Sequence, residues 1–150
     1  MTDYAAAARE NFLRGYNCAQ SVLLAFAQPL GMTEERALLL SSSFGAGMGR
    51  LRQVCGALSS LLMIDGLLEG YTSPDDAEGK AAHYARVQAL ARRFEEEMGS
   101  ILCSDLLGPG ASTSPVPEAR TAAYYASRPC CHAVECAARI GQEILLSKKF

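Results

Sequence analysis

The stretch Phe44 to Ser60, FGAGMGRLRQVCGALSS, decides how the rest of the chain is read. Gly45, Gly47 and Gly49 fall within five positions, Arg50 and Arg52 follow, and Cys55-Gly56-Ala57 leads into the apolar run LLMIDGLL. A glycine in a helix interior costs about 1 kcal/mol relative to alanine. Glycines this dense predict a tight, close-packed connection that ends where a buried helix begins. That helix is predicted over residues 53–69. It is apolar nearly all round, which makes it the central helix of the fold. Cys55 stands at the junction. A thiol at a helix N-terminus, with arginines just upstream, is placed to be stabilised as a thiolate.

Outward from this stretch the chain reads as helices. Tyr4, Ala8 and Phe12 repeat at helical spacing over residues 3–14, and Gly15 ends that helix. Asn17 is a cap for a second helix from Cys18 to about Gln28, which Pro29 and Gly31 stop. Thr33 caps a third, with Glu34 and Glu35 at its positive dipole end. Beyond Gly70, Ser73-Pro74-Asp75-Asp76 predicts the start of a long helix reaching Met98, with Ala82, Ala85, Leu90 and Phe94 facing inward. Ser100 is assigned to cap a short helix to Leu107. GPGASTSPVP, residues 108–117, is a surface loop. Residues 118–126 are partly helical, and Ser127 caps a last helix to about Ser147. No stretch alternates with period two. The expectation is an all-α fold: one compact domain over residues 1–150, a bundle of six or seven helices around a buried central helix.

Composition narrows the function classes. The chain has 150 residues, 49% apolar and 20% charged, with a formal net charge of −2. There is no basic patch with interleaved aromatics, so nothing supports nucleic-acid binding. The start, MTDYAAAARENF, lacks the pattern of a secretory signal, and Ser59, Ser60 and Asp65 interrupt the best apolar stretch, which excludes a membrane span. A cytoplasmic location is expected. Glu95-Glu96-Glu97 reads as a solvated helix face.

Six cysteines in such a chain change the argument. Structural disulfides are rare in a reducing compartment, which leaves buried inert thiols, metal ligands or redox-active thiols. On the predicted elements, Cys18, Cys55, Cys103 and Cys130 each fall in the first turn of a helix. Helix starts offer unpaired N–H groups and a positive dipole end, which favour the thiolate. There is no CxxC, and vicinal Cys130 and Cys131 rarely ligate one metal together, so one of that pair is a bystander. Cys136 is assigned to the core. His83 reads as a surface or boundary residue, and His132, beside two cysteines, as an ordinary residue more readily than as a proton donor or ligand. Asp65 reads as a boundary or solvent-facing acid more readily than as a buried functional carboxylate. GAGMG lacks the preceding strand and following lysine of a phosphate loop.

The chain resembles the C_GCAxxG_C_C family, whose members are described as redox-active and carry four characteristic cysteines. The matching segments are Gly15-Tyr16-Asn17-Cys18-Ala19-Gln20, Phe44 to Arg50, Cys55-Gly56-Ala57, Cys103 to Gly108, and Cys130 with Val134 four residues on. The family's CGAxxG ends here in Ser60, which is still small. Cys130 is chosen over Cys131 by its spacing to Val134. The resemblance implies a helical domain in which Cys18, Cys55, Cys103 and Cys130 converge as one site. They would either ligate an iron–sulfur cluster or another soft metal, or exchange thiols and disulfides. Gly47, Gly49, Arg50 and Gly56 are the accompanying cofactor-binding candidates. Covalent haem is not expected, because there is no CxxCH. An unidentified redox partner is implied, a homodimer stays open, and an oxidoreductase or electron-transfer role is left undecided. The rival reading is a helical interaction or scaffold module whose cysteines are merely buried.

Overall fold

The computed structural model describes residues 1–148. Among them are eight helices and no strand: α1 (Tyr4–Leu13), α2 (Cys18–Ala25), α3 (Glu34–Ser41), α4 (Gly56–Glu69), α5 (Ala77–Met98), α6 (Cys103–Leu107), α7 (Ala122–Ser127) and α8 (Cys130–Ser147). A 3-10 turn, Ser42–Phe44, and the single turn Gly45–Met48 lie between α3 and α4. The fold is the expected all-α bundle.

The core is shared by α1, α2, α4 and α8, with α2 touching each of the others. Leu23 and Phe26 from the α2 region, Leu58, Leu61 and Ile64 from α4, and Val134 and Ile140 from α8 are essentially solvent-free. Each such side chain contributes about 1.5–3 kcal/mol by leaving water. Tyr4 stacks on Phe26 with ring centroids 4.4 Å apart, which pins α1 to the end of α2. α5 lies outside this core on α4 and α8. Of its predicted inward residues Phe94 is buried and Leu90 half-buried, whereas Ala82 and Ala85 are exposed.

Local chemistry sets the helix starts. Asn17 and Gln20 form a reciprocal capping box on α2, with Gln20 N–H donating to Asn17 Oδ1 at 2.8 Å. Asp76, not Ser73, caps α5 by accepting from Gly79 N–H at 2.8 Å; Ser73 serves the turn before it. α8 begins at Cys130 behind Pro129, because Ser127 closes α7 by donating to Tyr124 O. α4 begins at Gly56, three residues later than predicted. Residues 53–55 are instead extended, and an isolated antiparallel bridge pairs Val54 with Leu102. In it Cys55 N–H donates to Ile101 O at 2.8 Å and Cys103 N–H to Gln53 O at 2.7 Å. The starts of α4 and α6 are thereby tied together.

Candidate functional site

Cys18 is the first residue of α2, Cys55 caps α4, Cys103 is the first residue of α6 and Cys130 the first of α8. Four helix starts therefore point toward one place. All four cysteines line a single cavity of about 220 Å³, whose remaining wall includes Phe12, Leu106 and Tyr124. None of the six cysteines is in a disulfide.

Cys18 and Cys55 are neighbouring thiols, 9% and 6% exposed. The Cys55 thiol donates to Cys18, and the N–H groups of Ala46, Gly56 and Ala19 also face that sulfur. Together they bring the Cys18 thiol down to about 6, against the burial that opposes ionisation. Cys55 moves the other way. Its hydrogen bond to Cys18, its burial and the negative charge on Cys18 all hold it protonated well above the ordinary thiol range. The sequence placed Cys55 where helix N–H groups favour a thiolate, and the N–H groups of Ala57 and Leu58 do face it.

The glycine stretch supplies part of this. Ala46, Gly47, Met48, Gly49 and Arg50 all have positive φ, so the chain winds left-handed there for a full turn, closed by Gly49 N–H donating to Gly45 O at 2.9 Å. Such winding costs about 1–2 kcal/mol at each non-glycine residue. It carries the Ala46 N–H to Cys18 and turns Arg50 and Arg52 inward, both buried. Gly47 permits the return of the chain: a Cβ there would lie 2.6 Å from Gln53 N. Gly49 faces no such obstacle, and its φ of 60° is its contribution.

The arginines do not face Cys55. Arg52 Nη1 stands 3.7 Å from Cys103 Sγ, and its Nε donates to Ser112 O at 2.9 Å. Arg50 holds Glu118 with both Nη groups, at 2.6 and 3.1 Å, and its Nε donates to Ser114 O. Arg128 reaches the same carboxylate at 3.3 Å. The Arg50 hydrogen bonds, then a backbone N–H and the charge of Arg128, hold Glu118 at about 2 against its partial burial. Burial raises the Cys103 thiol despite Arg52, and raises Cys130 to about 12. Residues 112–118 thus form a strap bound across the cavity by Arg50 and Arg52.

The other polar residues singled out in the sequence lie elsewhere. Cys131 is half-buried outside the cavity; Cys136 is fully buried, beside Glu97. His132 is exposed, 3.8 Å from Glu97. Asp65 is 1% exposed and paired by Arg86 through two hydrogen bonds of 3.1 Å, with His83 Nδ1 at 3.7 Å. It is a buried structural acid, contrary to the solvent-facing expectation. Sequence reasoning missed Glu118, Arg120, Arg128 and Tyr124, because nothing in a loop's composition announces that it folds back over a site.

Among the described residues, no three His, Cys, Asp or Glu side chains stand close enough together to hold a metal ion. As arranged, the four cysteines do not form a coordination set.

An all-α domain that gathers four cysteines of a spaced motif around one cavity is a thiol-bearing helical protein by construction. Residues 16–144 match the model of a family described as "Putative redox-active protein (C_GCAxxG_C_C)". The chain belongs to that family. No curated protein and no solved structure matches it.

Proposed function

We propose that this protein is a thiol–disulfide redox protein in which Cys18 is the attacking thiolate and Cys55 its partner. The observation that carries the reading is geometric: Cys18 and Cys55 line one cavity at the starts of α2 and α4, with Cys18 Sγ packed on the Gly56 backbone, and these surroundings lower the Cys18 thiol and raise Cys55. Two adjacent titratable groups driven apart in this way take nucleophile and acid roles.

The Cys18 thiolate attacks one sulfur of a substrate disulfide. A Cys18–substrate bond forms, the substrate S–S bond breaks, and the leaving thiolate takes the Cys55 proton. The Cys55 thiolate then attacks Cys18 Sγ. A Cys18–Cys55 disulfide forms, and the second thiolate leaves and is protonated from solvent. The substrate gains two electrons and two protons, and the pair loses two electrons. An external dithiol would return the pair to its reduced state. Cys103 and Cys130 are protonated neighbours in this scheme, and the lack of a coordination set favours it over metal ligation.

Six single cysteine-to-serine variants, reduced and then treated with bis(2-hydroxyethyl) disulfide, test the proposal. Peptide mapping of wild type is expected to find a Cys18–Cys55 bond. Cys18→Ser and Cys55→Ser should each abolish it, with Cys131→Ser and Cys136→Ser close to wild type. A disulfide formed elsewhere, or a graded additive loss across all six, overturns it. Iron and sulfide bound after anaerobic purification would favour the ligation reading instead.

A further inference from the structure

We propose that the substrates of this pair are small disulfides whose halves carry a negative charge, and that Arg52, helped by Arg128, receives that charge. The inference rests on the thiol-redox reading and concerns what the cavity admits.

Size comes first. Cys18, Cys55 and Cys103 are 9% exposed or less, and the strap at residues 112–118 is held over them. A cavity of about 220 Å³ takes a molecule of a few heavy atoms on either side of an S–S bond, and the disulfide of a folded protein is too bulky.

Charge comes second. Four arginines line the cavity against one carboxylate, Glu118. Arg50 spends both Nη groups on Glu118, and Arg120 spends its own on Phe12 O and Tyr16 O. Arg128 gives Glu118 a single nitrogen and stacks on Tyr124. Arg52 is different. Its side chain is 4% exposed, yet Nη2 has no hydrogen-bond partner: Glu118 Oε1 lies at ion-pair distance, 3.9 Å, too far for a hydrogen bond. A buried cationic donor without an acceptor is costly to maintain. A bound carboxylate or similar oxyanion supplies the acceptor. The Cys18 thiolate offsets only one of the excess positive charges. The same arginines also stabilise the negative charge that moves to the leaving sulfur during attack. Apolar Phe12, Leu106 and Tyr124 accommodate the carbon portion.

The test uses three disulfides of similar size: dithiodiglycolate (anionic), bis(2-hydroxyethyl) disulfide (neutral) and cystamine (cationic). The rate of Cys18–Cys55 oxidation in the reduced full chain is measured for each and divided by the rate with free dithiothreitol, which removes intrinsic reactivity. The normalised rate should favour the anion over the neutral compound by about tenfold, with the cation slowest. Raising the salt concentration should shrink the ratio in wild type, and Arg52→Gln should bring the anionic-to-neutral ratio toward one. Equal normalised rates, or preference for cystamine, overturn the inference while leaving the thiol-redox reading standing. Inertness toward all three removes both.

Discussion

Cys18 Sγ packs directly on the backbone of Gly56, 2.7 Å from where a β-carbon at that position would lie. Phe44 O is equally near that point, and Ala19 Cβ is at 3.1 Å. The glycine after Cys55 is therefore what lets the first turn of α4 present its N–H to the thiolate. Gly56→Ala should destabilise the fold by about 1–3 kcal/mol, as overpacking does. It should also raise the pH midpoint of Cys18 alkylation. Denaturant titration together with an iodoacetamide pH profile checks both. An unchanged midpoint would show that the contact does not tune the thiol.

The pH dependence of the pair has a definite sign. Alkylation of Cys18 should rise through a midpoint near 6 and level off above it. Cys55→Ala removes the largest cause of that depression and should move the midpoint upward. In stability terms, the lowered group contributes fully above the ordinary thiol value of 9.0 and loses its contribution as pH falls through about 6. The raised Cys55 contributes fully below that ordinary value and loses its contribution at higher pH. Stability should climb from pH 6 toward 9 and then decline, and the double variant Cys18→Ala/Cys55→Ala should flatten the curve. A monotonic fall over this range would show that neither thiol of the pair is lowered.

Ala46 sits at φ 57° in the left-handed turn. Ala46→Gly relieves about 1–2 kcal/mol of steric cost and gives back about 0.4–1 kcal/mol in unfolded-chain entropy. A net gain of about 0.5–1 kcal/mol is expected, with the Cys18 midpoint unmoved because the N–H is kept. Thermal unfolding decides it, and a less stable variant would mean that the methyl group packs usefully.

Ser60 takes the place of the family's glycine and donates to Ala19 O at 2.6 Å from a fully buried position. Ser60→Ala should cost about 1 kcal/mol for the lost hydrogen bond. Ser60→Leu should cost more, by forcing α2 and α4 apart. Equal stability of the leucine variant and wild type would show that the helices do not meet closely there.

Arg86→Ala strands the Asp65 carboxylate in the core. A loss of about 3 kcal/mol is expected, at the low end for a broken buried pair because Arg86 is itself 38% exposed. Cys18 reactivity in the folded variant should match wild type, since neither residue lines the thiol cavity. A shifted Cys18 profile would tie the two regions together.

Helix positions were legible from caps and glycines, because Asn17, Thr33 and Gly15 act on their own neighbours. The gathering of four cysteines at helix starts was legible for the same reason. Where two caps competed, as at Ser73 and Asp76, sequence alone favoured the wrong one. The left-handed turn was beyond reach. Ala46, Met48 and Arg50 prefer negative φ, and only packing around Gly47 and Cys18 holds them otherwise. The N–H that Ala46 presents to Cys18 depends on that turn, so it was hidden too. Asp65 was misjudged because its partner Arg86 lies on another helix.

The bridge between Val54 and Leu102 has a consequence for how the protein is made. The segments around Cys55 and Cys103 secure each other, yet some fifty residues separate them along the chain. The donors to Cys18 come from positions 46 and 56, and Cys130 arrives later still. The surroundings of the Cys18 sulfur are thus assembled by tertiary contacts between segments far apart in the chain, and a partly folded chain lacks them.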